Sequence, residues 1–364
     1  MKQLRSRLTI SVFAVLLLGG MAAHLLLPDL DLSRAERRKL QQFPEITGEA
    51  LLSAEFSQDV EDYLLDQFPL RDGFRTLKAI WTYYILGQKD NNGVYIAEGS
   101  ASKLDAQLDE KQLHLFTDKM NELHGLYFPD ADVYCAIVPD KNYYLASSHG
   151  YPALDYETLF GTVEAELPWA THIDLTGSLT AADYYATDSH WRQERLDRVI
   201  QTLAQAMDLT LPDWERYDRV TLPGFQGVYY GQAALPLPAE DLVYLTNEAT
   251  ENALVSGPEN PSATVYDPAK FENLDGYDVF LSGAQAVLTV ENPDAETDRT
   301  LVIFRDSYGS SLAPLLLDGY AKIILADVRY VTTAYLGQFV DFSDVDDVLL
   351  LYSTTVVNSA GILR

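Results

Sequence analysis

The sequence predicts an α/β protein: a parallel sheet flanked by helices, with a β-rich insertion and an N-terminal transmembrane helix. Three observations carry that reading. From about residue 109 the chain alternates helical patterns with short, uniformly apolar strands, as a parallel sheet covered on both faces requires. Between Tyr217 and Pro293 the alternation lapses into chain rich in Gly, Pro and Tyr. Residues 8–27 form a predominantly apolar run behind Lys2, Arg5 and Arg7.

With 364 residues, 47% of them hydrophobic, the chain can bury a sizeable core. Its net charge of -28 argues against nucleic acid or anionic lipid as partners, since phosphate contacts need clustered Lys and Arg. The acidic surface reads as a solvated face.

At 1.5 Å rise per residue, residues 8–27 span about 30 Å, the thickness of a bilayer's hydrocarbon core. The basic residues before the run are expected to stay in the cytoplasm, which puts the ectodomain of a single-pass protein outside it. A cleaved signal peptide has a shorter apolar region, about 7–15 residues, so an uncleaved signal-anchor over residues 1–30 is preferred. Ala22 and Ala23 leave cleavage and secretion open. The one cysteine, Cys135, lies in an apolar strand pattern at 133–138, so no intramolecular disulfide is expected and the thiol reads as buried.

Residues 31–108 read as a helical stalk and N-terminal part. Phe56, Val60, Tyr63 and Leu64, then Phe74, Leu77, Ile80 and Trp81, recur at helical spacing, and Pro69 breaks the run between them. Asn91-Asn92-Gly93 reads as a turn before a strand at 94–96. The first part of the α/β domain, 109–216, holds a helix at 110–126, strands at 133–138 and 172–175, and a helix at 192–207. The β-rich insertion covers 217–293, and the second part, 294–364, supplies strands at 301–304, 323–326 and 348–352.

Of the six histidines, His24, His114, His124, His149 and His172 sit in ordinary settings. His190 does not. In Tyr185-Ala186-Thr187-Asp188-Ser189-His190-Trp191 an Asp two residues before the His can accept the imidazole Nδ1–H, leaving Nε2 to take a proton. Alone, the pair reads equally well as a capping Asp beside a packing His. Its partner candidate is Ser307, in a turn between an apolar strand at 301–304 and a helix at 310–317. That order puts the hydroxyl at the carboxyl end of a central strand, where open α/β sheets bind ligands, and at a helix start whose free N–H groups stabilise an oxyanion. Gly309 leaves room for substrate. The competing reading is that Asp306 or Ser307 only caps the helix.

Ser307, His190 and Asp188 together supply a nucleophile, a base and an orienter, the logic of serine acyl transfer. No second histidine lies near His190 to build a common zinc site, so neither metal nor cofactor is expected. Arg329 and Lys141, each just past a strand end, are candidates to hold a polar substrate group, with an ion pair as the alternative. Tyr308 and Tyr185 are candidate faces for stacking a sugar.

Asp66-Gln67-Phe68-Pro69-Leu70-Arg71-Asp72, Asn92-Gly93-Val94-Tyr95, Pro139-Asp140-Lys141, Thr187-Asp188-Ser189-His190-Trp191, Phe225-Gln226-Gly227, Phe280-Leu281-Ser282-Gly283, Arg305-Asp306-Ser307-Tyr308 and Asp327-Val328-Arg329-Tyr330 follow one another along the chain. In this the ectodomain resembles the DHHW-type cell-surface proteins and, more distantly, the alginate O-acetylation proteins. The resemblance implies an SGNH-hydrolase-like sheet, an Asp188–His190 pair serving Ser307, and an acyl-enzyme charged through a separate membrane O-acyltransferase. The implied function is a serine-dependent O-acyl transferase, acetyl in the first place, or an esterase, acting on a cell-surface or secreted glycan.

Two positions depart from the pattern. Ser189 stands at the second position of the DHHW signature, and Ala284 stands where relatives often have Asn after the glycine of Phe-Leu-x-Gly. Losing an oxyanion donor costs roughly 10²–10³ in rate. The alternative function is therefore a catalytically inactive glycan-binding or assembly protein on the same scaffold.

Overall fold

The computed structural model describes residues 2–48, 53–258 and 263–364. The chain forms two compact units, Met1–Asn92 with Tyr230–Pro236, and Gly93–Tyr229 with Leu237–Arg364.

The larger unit is built on seven strands: β1 (Asp132–Val138), β2 (Thr171–His172), β3 (Leu254–Ser256), β4 (Val287–Glu291), β5 (Thr300–Arg305), β6 (Lys322–Ala326) and β7 (Asp347–Ser353), in the spatial order β2-β1-β7-β5-β6-β4-β3. The five strands from β2 to β6 are parallel, and β4 pairs antiparallel with both β6 and β3. Uniformly apolar strand sequences follow from burial on both faces. Leu301, Ile303, Leu349 and Leu351 point into one cluster of the core, while Val302, Phe304, Val348 and Leu350 point into the other. Helices α4 (Glu110–Tyr127) and α6 (Tyr156–Glu166) contribute to the second cluster, and α7 (Asp197–Ala206) to the first. The short α5 (Lys141–Leu145) follows β1. Cys135 is enclosed in β1, and burial pushes its thiol up to about 12.

The expected parallel sheet flanked by helices is present, with local differences. The strand expected at 172–175 is the two residues of β2. The helix expected from residue 192 opens as a 3-10 turn, Gln193–Arg195, before α7. After Ser307, α8 (Tyr308–Leu312) lasts five residues and runs into a 3-10 segment, Ala313–Gly319, because Pro314 cannot donate to the helical ladder. The segment 217–293 holds a separate hairpin, Asp218–Phe225 with Glu240–Thr246, and also β3 and β4, which extend the main sheet.

Register decides where chemistry can gather. Phe304 lies opposite Ala326, and Arg305 opposite Leu351, so Ser307, Asp327 to Arg329, and Ser353 emerge at the same carboxyl edge.

In the smaller unit, α1 (Lys2–Leu26) contains the stretch Arg5–Leu26, long and apolar enough to cross a membrane, with mean hydropathy 2.0 and none of it buried. Membrane anchors and signal sequences share that property. Helix α2 (Ala54–Asp66) starts on Ser53, whose hydroxyl accepts the Phe56 N–H at 3.0 Å. After Pro69 comes α3 (Arg71–Ile80), continued by a single π turn, Trp81–Ile85.

Candidate active site

Residues 184–191 close on themselves through a bridge between Tyr184 and Trp191 and a bond from the Tyr185 N–H to the His190 carbonyl at 3.1 Å. This short loop presents Asp188 and His190 together. The Asp188 carboxylate is fully buried, and Oδ1 accepts the His190 ring Nδ1–H at 2.6 Å and the His190 backbone N–H at 3.0 Å. Its Oδ2 accepts the Val228 N–H at 2.8 Å. Gly227 must be glycine here, because a Cβ would run into the Cβ of Asp188 and the carbonyl of Thr187. Glu240 holds the loop from beneath, accepting the N–H groups of Ala186 and Thr187 at 2.8 Å each and the Thr187 hydroxyl at 3.0 Å.

Ser307 arrives from β5. Its hydroxyl lies 2.6 Å from His190 Nε2, and since the Asp188 carboxylate takes the Nδ1–H, the serine O–H is the donor. Of the two capping candidates Asp306 meets the helix start: its Oδ1 accepts the Tyr308 N–H at 3.0 Å and its Oδ2 accepts the Ser353 N–H at 2.8 Å. Ser307 makes no side-chain cap, and its own N–H donates to no protein acceptor among the described residues. Ser307 is also partly exposed, between a buried Asp306 and a buried Tyr308. An open hydroxyl beside an unspent N–H is where a carbonyl can be attacked and its oxygen held.

The imidazole is fixed from its face as well as its edges. Tyr277 stacks on it with ring centroids 3.9 Å apart and planes 9° from parallel. The Tyr277 hydroxyl donates to Ser311 Oγ at 2.7 Å, which also accepts the Trp191 indole N–H at 2.8 Å. Neither Tyr277, Ser311 nor Glu240 could be singled out in the sequence: each reaches the site by tertiary packing, from segments without a local motif.

The other expected substrate residues are engaged elsewhere. Tyr185 is fully enclosed, packed on Phe225 with the Arg192 guanidinium over its ring. The Tyr308 hydroxyl donates to the Ser189 carbonyl at 2.6 Å, and the residue is buried. Arg329 stays at the carboxyl edge, half-buried, but grips Asp327 through Nε at 2.8 Å and Nη2 at 2.6 Å. Gly309 makes room for protein, not substrate: a Cβ there would press on the Arg305 side chain.

Lys141 is 2% exposed, and its ammonium donates to the Tyr185 carbonyl at 2.7 Å, the Ser100 hydroxyl at 3.1 Å and the Ala186 carbonyl at 3.4 Å. It braces the loop that carries Asp188 instead of facing a ligand. Burial pulls its pKa down to about 7, against the Asp188 and Glu240 carboxylates, which favour the charge. The unfolded chain keeps this proton up to about pH 10.4. Above about pH 7 unfolding therefore takes up a proton, and this residue's contribution to stability rises with pH by up to about 1.4 kcal/mol per unit. Denaturant titrations should show the parent gaining stability relative to Lys141→Met from about pH 7 to 9.5. A gap independent of pH contradicts the depressed lysine.

Neither a family model nor a curated protein matches the sequence. Among solved structures, a DHHW family protein from Eubacterium siraeum is similar with a TM-score of 0.61 and 20% identity, over 75% of this chain and 95% of that one. This chain shares the fold of a DHHW family protein. Bacillus cereus PatB1 is similar too, with a TM-score of 0.54 and 15% identity for its structure with a sulfonyl adduct, over 72% of this chain and 97% of that one. The DHHW resemblance and the fold class read from the motifs are thus matched by the shape of the chain. What these likenesses establish is the fold.

Proposed function

We propose that the protein is a serine-dependent O-acyl transferase or esterase acting on a cell-surface or secreted glycan, with acetyl as the acyl group. The observation that carries this reading is the 2.6 Å contact from the Ser307 hydroxyl to His190 Nε2, with Asp188 on the opposite ring nitrogen. As the serine oxygen adds to the acyl carbonyl, its proton passes to Nε2, and Asp188 steadies the imidazolium that forms. The carbonyl oxygen takes the negative charge, and the free Ser307 N–H is placed to receive it. Collapse of the adduct breaks the bond to the donor's leaving oxygen, which takes the proton back from His190. A glycan hydroxyl or water then attacks acyl-Ser307 and gives its proton to His190, and the bond from the acyl carbon to the Ser307 oxygen breaks as that oxygen takes the proton back. Hydroxyl acceptance makes a transferase and water acceptance an esterase, the difference being how well water is excluded.

On this reading α1 is a retained anchor and the site lies outside the cytoplasm, where a membrane O-acyltransferase can supply the acyl group. The purified full chain should release nitrophenolate from p-nitrophenyl acetate. Acetyl appearing on an added oligosaccharide marks a transferase, and free acetate alone an esterase. Ala284 favours a second reading, a glycan-binding protein without chemistry, since its side chain donates no hydrogen bond. That protein would bind saccharide and release no nitrophenolate.

A further inference from the structure

Helix α3 is amphipathic with its apolar side outward. Leu70, Phe74, Leu77, Trp81, Tyr84 and Ile85 fall within about 60° of one line down the helix and its π turn, a spacing that ordinarily faces a core. Here all six are exposed, Leu70 at 82%, Leu77 at 60% and Trp81 at 56%. The opposite side is the one that packs: Arg71 and Arg75 turn in to Glu36 at 2.5 and 3.0 Å, Arg75 also donates to the Gly231 carbonyl at 2.9 Å, and Ala79 is fully buried. A continuous apolar face of this kind needs an occupant.

A second observation says which. Gln67, at the corner between α2 and α3, binds the outgoing end of α1. Its side chain exchanges two hydrogen bonds with the Leu30 backbone at 2.9 Å each, and its carbonyl accepts from His24 Nδ1 at 3.1 Å. Tyr63, one turn earlier, donates to Asp29 at 3.1 Å. The stripe therefore begins beside the end of a helix long enough to cross a bilayer, and its Trp and Tyr are the side chains that favour the headgroup boundary.

We propose that α3 and its π turn lie in the outer interface of the membrane that α1 crosses, with the stripe from Leu70 to Ile85 in lipid and the Arg71–Arg75 side against the protein. This rests on α1 being a retained anchor. With a net charge of -28 the attraction is apolar burial and not binding to anionic headgroups, so neutral lipid suffices.

The test uses the full chain reconstituted in phosphatidylcholine vesicles, with a nitroxide on Leu77→Cys or Trp81→Cys. Val12→Cys in α1 is the lipid reference, and Asp72→Cys, off the apolar stripe and with its side chain 63% exposed, the aqueous one. The native Cys135 is buried and stays unlabelled. Positions 77 and 81 should collide several-fold more with oxygen than with a water-soluble nickel chelate, as at 12, and 72 should show the reverse. Water-like collisions at 77 and 81 with lipid-like ones at 12 overturn the surface and leave the anchor standing. Protection from both reagents overturns it in favour of a protein partner or a second copy. Loss of residues 1–26, read by intact mass, overturns the anchor and the interface with it.

Discussion

Replacing Ser307 by Ala is expected to lower turnover of an activated acyl ester on the order of 10⁶-fold and to leave the fold intact. The hydroxyl's side-chain partner is the His190 ring, and Ser307 caps nothing, so its removal opens no core cavity and strands no backbone group. The turn stays in place because Asp306 holds Tyr308 and Ser353. Turnover of p-nitrophenyl acetate and the denaturation midpoint separate the two effects. An Ala variant with parental turnover removes Ser307 from the mechanism.

Asp188→Asn should cost about 10⁴-fold in kcat and destabilise the protein by about 1–3 kcal/mol. Both carboxylate oxygens accept N–H groups, from His190 on one side and Val228 on the other. An amide at this fully buried position sets its NH₂ against one of those donors. Turned toward the ring, it selects the tautomer with a proton on Nε2, which cannot accept from Ser307. Turned away, it meets the Val228 N–H and pushes the loop off Gly227. Kinetics and denaturant unfolding of one preparation test both losses, and a fall in kcat of less than about tenfold contradicts the orienting role.

The legible parts of this protein were those written locally. β1, β5, β6 and β7 fall within a residue or two of their apolar runs because burial on both faces leaves no polar interruption. The Asp188–His190 spacing and the turn after β5 were likewise local signals. β3 and β4 leave little local signal because they are short antiparallel strands at one side of the sheet, inside a Gly- and Pro-rich segment and defined by distant partners. Lys141 and Tyr185 read as substrate-binding candidates but are buried, since position after a strand, or in a motif, does not say what crosses above it. Tyr277 gives no sequence signal among 23 tyrosines; only packing lays it on the imidazole. Periodicity found the face of α3 but not its direction, because spacing reports that a face exists and not what it meets.

Reaction with phenylmethylsulfonyl fluoride, followed by intact mass and peptide mapping, tests the central claim most directly. A hydroxyl activated by its imidazole should take up one sulfonyl group, on Ser307, and His190→Ala should slow that labelling by orders of magnitude. A folded protein that stays unlabelled, or carries the adduct on another residue, contradicts an activated Ser307.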